Sequence, residues 1–152
     1  MKKLITLFIL FTSYVTAYSQ TTEHEAVKKV VNNMFKGMRT GDTVLLKSTF
    51  SADMVLQSLV NKKDGSTALI TQKAEGFTKQ VGAAYKEVYD ERITIADIKI
   101  DGPLASVWAP YKFYIGTTFS HCGVNVFQLM KTALGWKIIY IVDTRRKDNC
   151  VE

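Results

Sequence analysis

VWAPYKFYIGTTFSHCGVNVFQLMKTALGWKIIYIVDTRRK, Val107 to Lys147, is three runs of β-branched and aromatic residues separated by two short breaks, Gly116-Thr117-Thr118 and Ala133-Leu134-Gly135. That pattern predicts three consecutive antiparallel strands. Runs of roughly ten residues exceed the usual strand of ~5–6. Strands of that length suit a strongly curved sheet that wraps a cavity. The aromatic and chemically versatile side chains concentrate in the same stretch: Trp108, Tyr111, Phe113, His121, Phe127, Trp136, Tyr140 and Arg145. A functional site is therefore expected on this sheet.

Upstream, Val27, Val30, Val31, Met34, Phe35 and Met38 recur at helical spacing and leave one apolar stripe. Gly41 ends that helix, and Asp42 caps a short second one over Thr43 to Ser48. Met54 to Val60 reads as a strand, Asn61 to Gly65 as a hairpin loop and Ser66 to Ile70 as the return strand. Thr71 to about Ala84 reads as a helix weakened by Gly76 and Gly82. Tyr89 to Ile100 reads as one strand, which Asp101-Gly102-Pro103 turns into the long meander. Helices beside one antiparallel sheet make an α+β domain. The expected architecture is a curved antiparallel sheet wrapped over the N-terminal helices, forming a cone with an internal pocket.

The N-terminus follows another logic. Lys2 and Lys3 precede an apolar run, Leu4 to Val15, and Ala17 and Ser19 offer small residues for cleavage before Gln20. This is the pattern of a secretory signal peptide over residues 1–19. The apolar run is well short of the ~20 residues that span a bilayer. The chain is thus expected to be exported, periplasmic or secreted, with residues 20–152 as a single domain and no membrane partner. The formal net charge is +6, of which Lys2 and Lys3 carry two. The remaining positive residues are scattered without a basic run or a nucleic-acid motif, so nucleic acid is not an expected partner.

The order of elements resembles the nuclear-transport-factor-2-like superfamily, the cystatin-like cone fold that includes ketosteroid isomerase, scytalone dehydratase and the SnoaL-type polyketide cyclases. The shared marks are the Gly41-Asp42 break, Phe50-Ser51-Ala52-Asp53, Ala105-Ser106-Val107 and Gly135-Trp136-Lys137-Ile138. A sharper resemblance, to the exported family labelled putative lumazine-binding, rests on Trp108-Ala109-Pro110-Tyr111, Ser120-His121-Cys122-Gly123, Phe127-Gln128-Leu129 and Asp143-Thr144-Arg145-Arg146. The family label is taken as a name only; the aromatic lining residues, with no carboxylate placed inside, lead to the expectation of a small aromatic or heterocyclic ligand inside the cone. The superfamily hosts enzymes, carriers and dimerisation modules on one fold, so the fold does not decide among them.

His121 is the candidate catalytic group, since a histidine at a pocket rim can shuttle protons near neutral pH. The alternative is a strand histidine that only hydrogen-bonds a neighbour. Trp108, Tyr111, Asn125, Phe127, Tyr140 and Arg145 are the candidate ligand-binding residues. The aromatics could equally be core, and Arg145 a surface arginine. Asn125 and Phe127 alternate with His121 on one strand face. No carboxylate is placed inside the cone: Asp97 and Asp143 read as surface residues, which counts against isomerase-type proton transfer. His121, Cys122 and Cys150 have no paired metal-ligand spacing, so neither a metal nor a cofactor is expected.

Three readings stay open: a small-molecule-binding domain, a His121-assisted isomerase, dehydratase or cyclase with Tyr111 or Tyr140 as donor, and a homodimeric interaction module. The dimer would form through the outer sheet face, where Val124, Val126 and Met130 fall. Cys122 and Cys150 either bridge, with the tail curled back beside His121, or stay as two thiols. Export favours the bridge. A turn at Leu134-Gly135 would set Cys122 opposite Lys147.

Overall fold

The computed structural model describes residues 22–83 and 87–150. The expected leader, residues 1–19, and its cleavage point before Gln20 lie outside the described residues. Helix α1 covers residues 22–40. It is followed by α2 (Thr43–Ser48), β1 (Phe50–Asn61), β2 (Thr67–Lys73), α3 (Ala74–Gly82), β3 (Tyr89–Ile93), β4 (Asp97–Asp101), β5 (Leu104–Ile115), β6 (Thr118–Thr132) and β7 (Gly135–Arg145).

The apolar stripe of α1 buries Val27, Val31, Met34 and Phe35. The helix stops where Gly41 takes φ +66°, a left-handed conformation open to glycine. The Gly41 N–H then reaches the Met38 carbonyl at 3.3 Å and the Asp42 N–H reaches that of Gly37 at 2.9 Å. These two bonds satisfy carbonyls that the helix end would otherwise leave bare. Asp42 starts the next helix at once: its carboxylate accepts from the N–H groups of Val44 at 3.1 Å and Leu45 at 2.9 Å.

The strands form one sheet in the order β2-β1-β7-β6-β5-β3, with β4 also paired to β5. Its β5–β6–β7 meander is the expected one, with long strands joined at Gly116-Thr117 and Ala133-Leu134. The sheet is mixed, however, because β1 pairs with β7 in parallel. The β1–β2 hairpin occupies one edge of β1, and the other edge meets β7 only after the whole chain has returned, running the same way. The single strand expected over Tyr89 to Ile100 is also divided. Ile93 pairs with Tyr111 and Asp97 with Trp108, a one-residue slip bridged by Thr94 N–H to the Pro110 carbonyl at 2.9 Å and Ala96 N–H to that of Trp108 at 3.0 Å. Pro110 has no N–H to return to a ladder, and the partner strand bulges beside it. Helix α3 is shorter than expected because Thr71, Gln72 and Lys73 are taken by β2, which pairs them with Gln57, Leu56 and Val55.

The concave face of the sheet packs on α1. Ala105, Val107, Ala109, Phe127, Leu129, Ile138 and Ile141 are fully buried there, and Phe35 meets Phe127 edge to face at 5.9 Å between ring centres. At the chain end, Cys122 exchanges two backbone hydrogen bonds with Arg146, one residue before the expected Lys147. The hairpin turns at Ala133-Leu134, and a bulge between Gln128 and Leu129 shifts the register. Beyond Arg146, Asn149 takes φ +48° and folds the tail back. A disulfide joins Cys122 to Cys150, with 5.8 Å between their Cα atoms.

Candidate functional site

The cone is filled by core side chains at its narrow end and open at the other. There a cavity of about 530 Å³ lies between the end of α1, α3, the β1–β2 hairpin and the concave faces of β3, β5, β6 and β7. Its walls include Leu56, Phe77, Val81, Val88, Phe113 and Ile115, and its polar groups include Glu91, His121, Asp143 and Arg145.

Register brings those polar groups together. Side chains directly opposite on paired strands share a face. Phe113 lies opposite both Glu91 and His121, Tyr111 opposite Gly123, and Asn125 opposite Asp143. Parallel pairing adds Ser58 beside Asp143. The Asn125 amide donates to Glu91 Oε1 at 2.7 Å. Arg145 donates from Nε to Asp143 Oδ2 at 3.0 Å and from Nη2 to Ser58 Oγ at 3.0 Å. The Tyr111 hydroxyl lies 2.9 Å from the Thr144 carbonyl and 3.3 Å from Asp143 Oδ2, and can donate to one of them at a time. Asp143 is only 7 % exposed, and its Oδ1 has no hydrogen-bond partner among the described residues.

One glycine makes this arrangement possible. A Cβ on Gly123 would sit 1.8 Å from the Thr144 carbonyl oxygen and 2.8 Å from Tyr111 Cε1. The Tyr111 ring edge therefore crosses a position that only glycine can fill.

Electrostatics follow from the enclosure. Burial pushes the Glu91 carboxyl up to about 7; the Asn125 hydrogen bond opposes this, the neighbouring Asp143 adds to it and Arg145 opposes it. Burial, and then the nearby Asp143 and Glu91 carboxylates, hold the Tyr111 hydroxyl far above its ordinary range. Burial, and then the Arg145 charge, push the His121 imidazole below its ordinary value. Its Nδ1 lies 3.0 Å from Ser120 Oγ, and its ring leans on Phe113 at 5.0 Å and stands edge-on to Tyr111 at 5.7 Å. The site thus offers a carboxyl that changes charge near neutrality, a neutral imidazole and a fixed Asp143–Arg145 ion pair. Among the described residues no group of three or more His, Cys, Asp or Glu could hold a metal ion.

Of the residues expected to form a site, His121 and Arg145 line the cavity, and Tyr111 and Asn125 lie against its floor. Phe127 is on the same face but deeper, sealed in the core against α1. Trp108 and Tyr140 are not in the site. Trp108 lies opposite Val126 and Tyr140 opposite Gln128, on the convex face; Trp108 is 50 % exposed, and the Tyr140 hydroxyl bonds Gln57. Inward and outward positions alternate along a strand, and the bulge after Gln128 places Tyr140 outward. The cone was expected to lack an inward carboxylate, and it has two. Asp143 is interior because the real register sets it opposite Asn125. Glu91 sits in Tyr89-Asp90-Glu91-Arg92-Ile93, whose charge suggests a solvated strand. The signal available was the alternation of Tyr89, Glu91 and Ile93, which puts a lone acid between two apolar residues on one face.

A family model described as "Putative lumazine-binding" matches residues 22–142. No curated protein matches the chain. Among solved structures, an NTF2-like protein of unknown function from Shewanella baltica is similar at 17 % identity and TM-score 0.64, over 84 % of this chain and 97 % of that one. An NTF2-like protein with a cystatin-like fold from Novosphingobium aromaticivorans is similar at 12 % identity and TM-score 0.67, over 88 % of each chain. The β subunit of a "putative aromatic-ring-hydroxylating dioxygenase" from the same organism is similar at 13 % identity and TM-score 0.68, over 88 % of this chain and 95 % of that one. An α+β cone with these likenesses shares the fold of the NTF2-like, cystatin-like structures, and a chain matched by the family model over most of its length belongs to the family described as putative lumazine-binding.

Proposed function

We propose that this chain is an exported small-molecule-binding domain whose cone takes a small aromatic or heterocyclic ligand. The observation that carries this reading is the cavity itself. Its size falls within the ~300–1,000 Å³ usual for ligand sites, and it combines apolar walls with a few convergent polar groups. Phe113 and the His121 ring offer a surface for a planar ligand, and the floor offers directional hydrogen bonds. The family description points to the same class of ligand. Native mass spectrometry of the purified protein, followed by titration with aromatic heterocycles, tests it. A saturable complex that Phe113→Ala weakens supports the reading, and a cavity that takes no such molecule ends it.

Export rests on the N-terminal pattern of residues 1–19 and agrees with a disulfide between Cys122 and Cys150. Cell fractionation with N-terminal sequencing should find mature protein beginning at Gln20 outside the cytoplasm. A homodimer through the convex face is supported by a row of apolar residues, Trp108, Val126 and Val142, on three adjacent strands, with Leu104 and Met130 exposed beside it. Light scattering should give twice the chain mass at micromolar concentration, and Trp108→Glu should return the mass of one chain.

A second reading, an acid–base isomerase, dehydratase or cyclase, is favoured by one observation: the Glu91 carboxyl and the His121 imidazole share one cavity. Glu91 can take up or release a proton near neutral pH, and the His121 imidazole beside it can accept one. Tyr111 does not serve as an oxyanion donor here, since its hydroxyl is committed to Thr144 and Asp143, and Tyr140 lies outside the cone. Turnover that disappears in both Glu91→Gln and His121→Ala, with the fold intact, would establish this reading over simple binding.

A further inference from the structure

The cavity floor holds two carboxyls and one guanidinium. Arg145 is paired with the Asp143 side: Nε donates to Oδ2 and Nη2 to Ser58 Oγ. Glu91 makes no ion pair among the described residues. The neutral Asn125 amide donates to its Oε1, and Asn125 lies directly opposite Asp143 across the β6–β7 pair. Asp143 Oδ1 is buried and bare, an unscreened negative oxygen on the same small floor. Glu91 and Asp143 share the single Arg145 charge, and two ionised carboxyls side by side on a partly buried floor raise each other's cost of ionisation. The extra proton belongs on Glu91, and Asn125 shows where. It donates to Oε1, which leaves Oε2 as the oxygen that carries the proton.

We propose that Glu91 is the ligand-selecting residue of the cavity: in its acid form it donates a hydrogen bond to the carbonyl oxygen of a neutral aromatic or heteroaromatic ligand. The ring of that ligand lies against Phe113 and His121, and its carbonyl turns to the floor. The inference rests on the reading of the cavity as a ligand site, and it names what that site prefers.

The charged and titratable groups that face Glu91 are Asp143 and Arg145 from β7, Tyr111 from β5, His121 from β6, Tyr89 beside it on β3 and, at the cavity edge, Arg39 of α1 and Glu87. Arg39 is paired with Asp90 at 3.4 Å. Burial and the Arg145 charge push His121 below its ordinary value, toward acid pH. Glu91, which burial pushes up to about 7, is therefore the group whose charge changes most between pH 6 and 8.5. When a ligand needs one state of a protein, its apparent affinity falls with the population of that state.

The test uses a matched pair of probes, 4-chromanone and chroman, which have the same bicyclic frame with and without a carbonyl. Binding to the mature, disulfide-bonded protein is followed by NMR titration at pH 6 and pH 8.5, in the parent and in Glu91→Gln. Glutamine keeps the Asn125 contact and donates like the acid form, but it cannot ionise. The expected result is that the parent favours 4-chromanone over chroman by about tenfold at pH 6 and loses most of that preference at pH 8.5. Glu91→Gln should keep the preference at both pH values, and chroman should bind the same throughout. Equal binding of the two probes at pH 6 overturns the proposal and leaves the ligand site standing. A preference in the parent that persists at pH 8.5 overturns it too, and moves the donor to Arg145. If neither bicycle binds at either pH, the selection rule and the ligand-site reading fall together. The parent's own pH profile decides the matter even if the variant does not fold.

Discussion

Gly123 and Tyr111 are one unit. The ring covers a residue with no Cβ, and the hydroxyl is thereby delivered to Thr144 and Asp143. Gly123→Ala forces backbone apart, because the nearest atom is a carbonyl oxygen rather than a flexible side-chain end. The expected loss is about 3 kcal/mol or more in urea unfolding, at the upper end of overpacking effects. A change below ~0.5 kcal/mol would mean that the ring does not lie where it is placed. Glu91 gives a second expectation at this scale, of opposite character. Its folded pKa, raised to about 7, lies above the 4.5 of the free side chain. The folded state therefore holds this proton more tightly than the unfolded one. The associated stability is fully present below pH 4.5 and is lost as pH rises through 7. Glu91→Gln has no such loss. It should be more stable than the parent at pH 8, by on the order of 2 kcal/mol, with a smaller difference at pH 5. Denaturant titrations at the two pH values check the sign.

At the scale of elements, the tail beyond β7 is held by one covalent bond across a sequence separation of 28 residues. In the chain-entropy account, a loop of that size is worth about 3–4 kcal/mol. Cys150→Ser, or reduction of the parent, should lower the guanidinium midpoint accordingly, and denatured, unreduced protein should show no titratable thiol. The fold was legible wherever local chemistry decides it. The stripe of α1, the Gly41-Asp42 boundary and the two turns of the meander are each written in a few adjacent residues. What was not legible depends on register between distant strands. Whether Asp143 points in or out turns on one bulge after Gln128, and whether Glu91 reaches the floor turns on β3 meeting β5 at Phe113. A shift of one residue flips a strand's faces, and no local pattern reports it. For the same reason Tyr140 and Trp108, chosen for their chemistry, fall on the convex side, while the unremarked Glu91 falls inside.

For the whole molecule, the cone divides its volume between a packed end and an empty one. Leu56 stands at the wall of the empty end and is not part of the fully buried core. Leu56→Trp should therefore fill space rather than displace core. We expect a thermal midpoint within a few degrees of the parent, together with loss of the midpoint rise that a bound ligand produces. Thermal melts with and without a saturating aromatic heterocycle measure both quantities. A variant that melts far below the parent would show that the wall has no room to give. One that keeps the ligand-induced rise would place the ligand elsewhere.

The parallel joint between β1 and β7 also sets a timetable. β1 is made early, yet one of its two edges stays unpaired until residues 138–145 exist. The same last strand completes β6. A growing chain that has yet to reach Gly135 can form the helices, the β1–β2 hairpin and the β3–β6 sheet, but nothing yet joins the hairpin to that sheet. Pairing across so many residues is slow to nucleate and comes late. The two parts of the sheet accordingly become one cone only when the C-terminal strand arrives.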